Sequence, residues 1–300
     1  MKKGFFRSVI LGCAATLCLG FVASNHIEHL CSGFVPENDL KIPVGHSHRW
    51  NFRGPRSGLT EAQFNGVIDR FERIFQPVFS KAGGNLVVLR KWTDSTVNAY
   101  ANRMGSTWNV AMFGGLARHP AVTPDGFALV ICHEGSHHIG GAPKGRGFFG
   151  NNWASNEGQA DYGATTKCLR TYFAQDDNEE IIKNSNVDPL AQKQCLSQFT
   201  QRADQLLCMR ISLAGNSVAL LFMDLEKSPS PPLFNTPDLS QTSQMVDSHP
   251  PAQCRLDTYF AGATCHVDVS IPVSDTDYRE GACIQPIDAV GFRPRCWFKP

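Results

Sequence analysis

The residues best suited to chemistry lie close together in the middle of the chain. His133-Glu134-Gly135-Ser136-His137 places two histidines four residues apart, with a glutamate beside the first. On a helix, residues four apart stand about one turn apart on one face, so both imidazoles would project together. Neutral imidazole suits zinc, and Glu134, one step round, would reach a zinc-bound water as general base. Chance gives this pattern about once in a hundred chains of this His and Glu content. Twenty residues after His137, Asn156-Glu157-Gly158-Gln159-Ala160-Asp161 offers a second group. Glu157 is expected as the third ligand. Asp161, one turn further on, is expected to accept a hydrogen bond from the outer nitrogen of a ligand histidine and fix its tautomer. Two His, one Glu and a position left for water form a catalytic zinc set, whereas a structural site usually closes all four positions with protein. The expectation is one Zn2+ per chain.

Those groups need elements to hold them. Thr123-Pro124-Asp125 reads as a helix start, with a capping hydroxyl, a proline in the first turn and an acid. The helix should run to about Ile139, where Gly140-Gly141-Ala142-Pro143 ends it, and a second should begin near Ser155. Upstream, Phe64, Val67, Ile68, Phe71, Ile74, Phe75 and Val78 recur at helical spacing after Leu59-Thr60-Glu61, and Gly83-Gly84 stops them. Residues 85–92, 96–103 and 107–113 alternate like strands. Residues 188–213 and 216–227 read as helices, 228–246 as a long surface loop and 254–262 as a short helix. This pattern gives an α+β fold: a mainly helical, zincin-like domain with a small sheet and an edge strand, followed by a disulfide-held tail. The expected division is a signal peptide at 1–24, an irregular arm at 25–57, a metallopeptidase domain at 58–262 and a Cys-rich tail at 263–300.

His-Glu-x-x-His followed by Glu-x-x-Ala-Asp resembles the signature of the gluzincin metallopeptidases. The likeness is greatest to the HtpX/CAAX-prenyl-protease-like peptidases of the soluble periplasmic type, while the short gap from His137 to Glu157 is similar to thermolysin. It covers roughly residues 98–262. Asn98-Ala99-Tyr100 and Gly114-Gly115-Leu116 resemble that family's edge strand and the segment after it. Ser248-His249-Pro250-Pro251, with Arg255-Leu256, resembles its second region. The resemblance implies a zinc endopeptidase acting on a protein or peptide, whose backbone would lie extended along Asn98 and Ala99. It also implies an active-site role for His249, either as donor to the oxyanion or as an inhibitory fourth ligand. Two features depart from the family: Gly135 within the zinc helix, and the lack of a long insertion before the third ligand.

Composition narrows the alternatives. Lys plus Arg is 28 against 27 for Asp plus Glu, a formal charge of +1, which argues against a nucleic-acid partner. Eleven cysteines point to an oxidising compartment. Lys2, Lys3 and Arg7 precede an apolar run, and Val22-Ala23-Ser24 suits signal cleavage, so export to a periplasm or the exterior is expected. No later segment reads as a membrane span. Nine cysteines follow residue 24, and at least three disulfides are expected, with Cys31 or Cys132 left over. His138 is expected to be structural rather than a ligand, and His119, His46 and His48 to be loop histidines. A catalytically silent zinc-binding adaptor or inhibitor, and a metal-free disulfide-rich binding module, are the competing classes.

Overall fold

A computed structural model describes residues 33–46, 58–145 and 153–300. The expected leader, Cys31, His48 and part of the Gly-rich loop after Lys144 lie outside the described residues. Helix α1, Glu61–Lys81, opens on Thr60, whose hydroxyl accepts from the Gln63 amide while the Gln63 side chain accepts from the Thr60 amide. This reciprocal capping satisfies two amides that the first turn would otherwise leave bare. The expected apolar stripe is buried with two changes: Ile74 is only partly covered, and Phe79 turns inward while Val78 is exposed. Strands β1 (Asn85–Lys91), β2 (Ala99–Met104) and β3 (Thr107–Phe113) form a mixed sheet in the order β1-β3-β2. The β1–β3 pair is parallel and the β2–β3 pair antiparallel, so β2 is an edge strand of this sheet.

Short helix α2 (Gly114–Ala117) leads to α3, Pro124–Ile139, capped by the Thr123 hydroxyl on the Gly126 amide. Every residue of α3 from Gly126 to His138 is buried, so this helix is the centre of the fold. Gly135 has a packing reason there. A Cβ at that position would come within 2.8 Å of the Phe71 ring, so glycine lets α1 lie against the helix that carries the two histidines. That contact offsets the roughly 1 kcal/mol that glycine costs a helix interior.

Helix α4 (Glu157–Gly163) continues through a π-helical stretch, Ala164–Cys168, into α5 (Leu169–Phe173). Helices α6 (Asn178–Lys183), α7 (Pro189–Gln198), α8 (Arg202–Leu225) and α9 (Ala252–Thr264) complete the described elements. The helical break expected near Gly215 falls instead at Phe199-Thr200-Gln201. A Cβ on Gly215 would meet Tyr259 at 2.8 Å, so that glycine serves the close approach of α9 to α8 rather than a turn. By length and composition α8 could cross a membrane, which the sequence reading did not anticipate, yet 78% of its apolar window is buried inside the protein.

Four disulfides join Cys132 to Cys168, Cys195 to Cys208, Cys254 to Cys296 and Cys265 to Cys283. Cys132 is therefore paired and not the odd thiol. It ties α3 to the helix that carries Glu157. Residues 265–300 contain no helix or strand, but they are not detached: Tyr162 donates to the Gly291 carbonyl, Arg293 donates to Gln159, and Trp297 packs on Gly158. Alkylation of the denatured chain before and after reduction should show eight cysteines released only by reductant. Eight alkylated without reductant would remove the argument for an oxidising compartment. Losing one such bridge typically costs about 2–5 kcal/mol.

Candidate metal centre

The one-turn spacing places His133 and His137 side by side on α3, with ring centroids 4.6 Å apart and planes perpendicular. Asn156 caps α4 by accepting from the Gln159 amide, so the helix begins at Glu157, and Glu157 faces α3. His133 Nε2 lies 3.3 Å and His137 Nε2 3.8 Å from the Glu157 carboxylate. One ligand atom from each of the three residues falls within 4.8 Å of the others. All three residues are almost fully buried.

The outer nitrogens are engaged. His133 Nδ1 is 2.7 Å from Asp161 Oδ1, and His137 Nδ1 donates to the Ser155 carbonyl at 2.8 Å. Those bonds turn Nε2 of each ring inward, where neither Nε2 has a hydrogen-bond partner. Asp161 thus does what its spacing suggested. It is held in turn by Arg255, wholly buried on α9, whose Nη2 lies 2.6 Å from the same oxygen. Arg255 also donates from Nε to the Tyr259 hydroxyl at 3.1 Å.

The protein groups alone favour a proton on His133 and on Glu134; a metal ion at the inward Nε2 atoms would displace the first and disfavour the second. Burial alone would lower His133, but the Asp161 carboxylate and Glu157 outweigh it and hold the ring up at about 9. Burial drives His137 down to about 4. Burial raises Glu134 to about 8, and both its oxygens lack hydrogen-bond partners at zero exposure. Burial would also raise Glu157, but the surrounding His137, His133 and His249 hold it well below the usual carboxylate range. Three buried carboxylates, Glu134, Glu157 and Asp161, face one buried guanidinium, Arg255. Glu134 avoids the cost of a buried charge by keeping its proton, and a divalent cation at the inward Nε2 atoms would let it ionise beside Glu157. The residues present fit a metal ion: two inward imidazoles and a carboxylate suit zinc, with Glu134 left over as an orphaned carboxylate beside them.

His249 stands beside this group without joining it. Its Nε2 donates to the Gly33 carbonyl at 2.6 Å and lies 3.6 Å from Glu157 Oε2. In this arrangement His249 is a donor, because the nitrogen nearest Glu157 carries the proton. Asn98 and Ala99 lie at the start of β2, both buried, and their polar groups are taken by residues 33–35 of the same chain. His138 is structural: it stacks between Trp108 and Trp153 and contacts the Asn109 carbonyl at 3.1 Å. His119 lies in the turn after α2 as expected but is fully buried, 3.0 Å from Asp224. Arg255, Tyr259 and the Ser155 carbonyl had no role assigned from sequence. Arg255 is named from sequence only within the segment that resembles the family's second region, with no partner given to it.

No protein-family model, curated protein or solved structure matches this chain.

Asp161→Asn should weaken metal affinity by about 10–100-fold, the usual size of an effect on a ligand's hydrogen-bond partner. It should also destabilise the fold, since breaking a buried ion pair from one side costs about 3–5 kcal/mol. Metal titration and thermal melting of the same sample read both. Unchanged affinity with a lowered melting point would restrict Asp161 to holding Arg255.

Proposed function

We propose that this chain is a zinc-dependent endopeptidase, acting in the manner of the gluzincin peptidases that its motifs resemble. The observation that carries this reading is the orphaned, buried carboxylate of Glu134 beside two inward imidazole nitrogens and the Glu157 carboxylate. A site built only to hold metal would have no use for Glu134, which is costly to bury without a partner. Zinc, when bound, would polarise the scissile carbonyl and bring the pKa of water to about 7.

The protein's own groups supply the rest. Glu134 takes the proton from the attacking water and returns it to the leaving amine. Asp161 and the Ser155 carbonyl keep His133 and His137 in the tautomer that turns Nε2 inward. Arg255, 2.6 Å from Asp161 Oδ1, fixes that carboxylate in place behind His133. His249, presented as an N–H donor, would stabilise the oxyanion. The edge of β2 at Ala99, whose carbonyl accepts from the Phe34 amide, would hold an extended peptide in that residue's stead. Four disulfides fit an oxidising compartment, and export by the N-terminal segment would place the enzyme there.

The test is digestion of an unfolded casein-type substrate by the purified exported chain. Cleavage should stop on adding a chelator and return with Zn2+. A zinc-bound chain that leaves the substrate intact even at high concentration and long incubation, with or without Gly33→Ala, would favour the silent zinc-binding adaptor instead.

A further inference from the structure

The open edge of β2 is already in use. The Phe34 amide donates to the Ala99 carbonyl at 2.9 Å, in the manner of an added strand. Asn98 clamps the next residue from both sides: Oδ1 accepts from the Val35 amide and Nδ2 donates to the Val35 carbonyl, each at 3.1 Å. The Gly33 carbonyl accepts from His249 at 2.6 Å and the Phe34 carbonyl from Arg255 at 3.1 Å. The Phe34 ring stands edge-on to His133, with centroids 4.8 Å apart, and packs on Phe222. A three-residue stretch thus engages the edge strand, the oxyanion donor and a ring of the metal centre at once.

We infer that Gly33-Phe34-Val35 fills, in cis, the site of an extended peptide with an aromatic side chain, and that the folded chain is latent until this segment is displaced. The inference rests on the peptidase reading and specifies its regulation. Backbone bonds to an edge strand recognise any extended chain, while the buried seat of Phe34 selects an aromatic side chain. A substrate that must first displace the segment binds with an affinity reduced by the fraction of molecules in which the site is open.

Gly33→Ala tests this without touching a metal ligand. A Cβ at Gly33 would lie 2.5 Å from Asn98 Nδ2 and 2.6 Å from the Tyr100 ring. Either the segment lifts or Asn98 moves, and both release the clamp on Val35. Wild type and Gly33→Ala, zinc-loaded and with matching melting curves, are compared for casein digestion and for the rate at which a chelator strips zinc. The expected result is digestion faster by about tenfold or more and quicker stripping in the variant. Equal digestion and equal stripping would overturn latency and leave the peptidase reading intact. Quicker stripping with no digestion by either chain would overturn the peptidase reading, and with it the claim that the segment stands in for substrate. If Gly33→Ala does not fold, hydrogen exchange in the wild type answers the same question. Adding a Gly-Phe-Val hydroxamate should expose the Phe34 and Val35 amides. Amides that stay protected while the hydroxamate binds would contradict the inference.

Discussion

Replacing Glu134 with Gln should lower peptide hydrolysis by about 10²–10⁴-fold, the range that general acid–base groups contribute, while zinc content stays at one ion per chain. The side chains have the same shape, so packing around a group with zero exposure is preserved. The amide cannot take a proton from water, and Glu134 is not among the three residues whose ligand atoms converge. Single-turnover digestion and metal analysis of one preparation separate the two quantities. Loss of zinc from Glu134→Gln would make Glu134 a ligand and reverse the assignment of roles. Unchanged hydrolysis would remove it from the reaction.

The second large effect is on metal itself. On the proposed reading His133→Ala, His137→Ala or Glu157→Ala should each remove most bound zinc, because each deletes one of the three residues whose ligand atoms converge. The loss should also appear in stability. A ligand held by the native state alone, present at a thousand times its dissociation constant, stabilises the fold by about 4.1 kcal/mol. The wild-type melting temperature should therefore rise with added Zn2+ and fall with a chelator, while in the three variants neither addition should shift it. A variant that kept full zinc would lose its place in the ligand set. His249→Ala provides contrast: it should slow hydrolysis with little change in zinc affinity, since its Nε2 donates to a carbonyl in this structure.

What sequence reading could reach follows chain distance. His133 and His137 lie four residues apart, so helix periodicity alone places them on one face with Glu134 one step round, and the Thr123 cap marks where that helix begins. Glu157 and Asp161 are one turn apart on the next helix, so one face carries both. The Asp161 partner of His133 was legible for this reason. Arg255 was not, because its bonds to Asp161 and to Phe34 span 94 and 221 positions. No local pattern distinguishes an arginine destined for a buried ion pair from one on the surface. The same holds for the arm. Residues 25–57 show no periodicity, yet Phe34 and Ile42 are fully buried because the backbone around them bonds to Ala99 and Ser95. For Cys132 the sequence leaves open a disulfide or a buried odd thiol, since it gives no distances. In the fold its partner Cys168 lies on the π-helical stretch facing α3.

Zinc K-edge absorption of the wild-type chain bears most directly on the central claim, that two imidazoles and one carboxylate hold the metal and leave a position for water. The spectrum should fit nitrogen and oxygen neighbours at about 2.0–2.2 Å with imidazole back-scattering and no sulfur. A sulfur shell near 2.3 Å would place the ion among cysteines, and a chain that retains no zinc would leave the His133, His137 and Glu157 cluster without its proposed role.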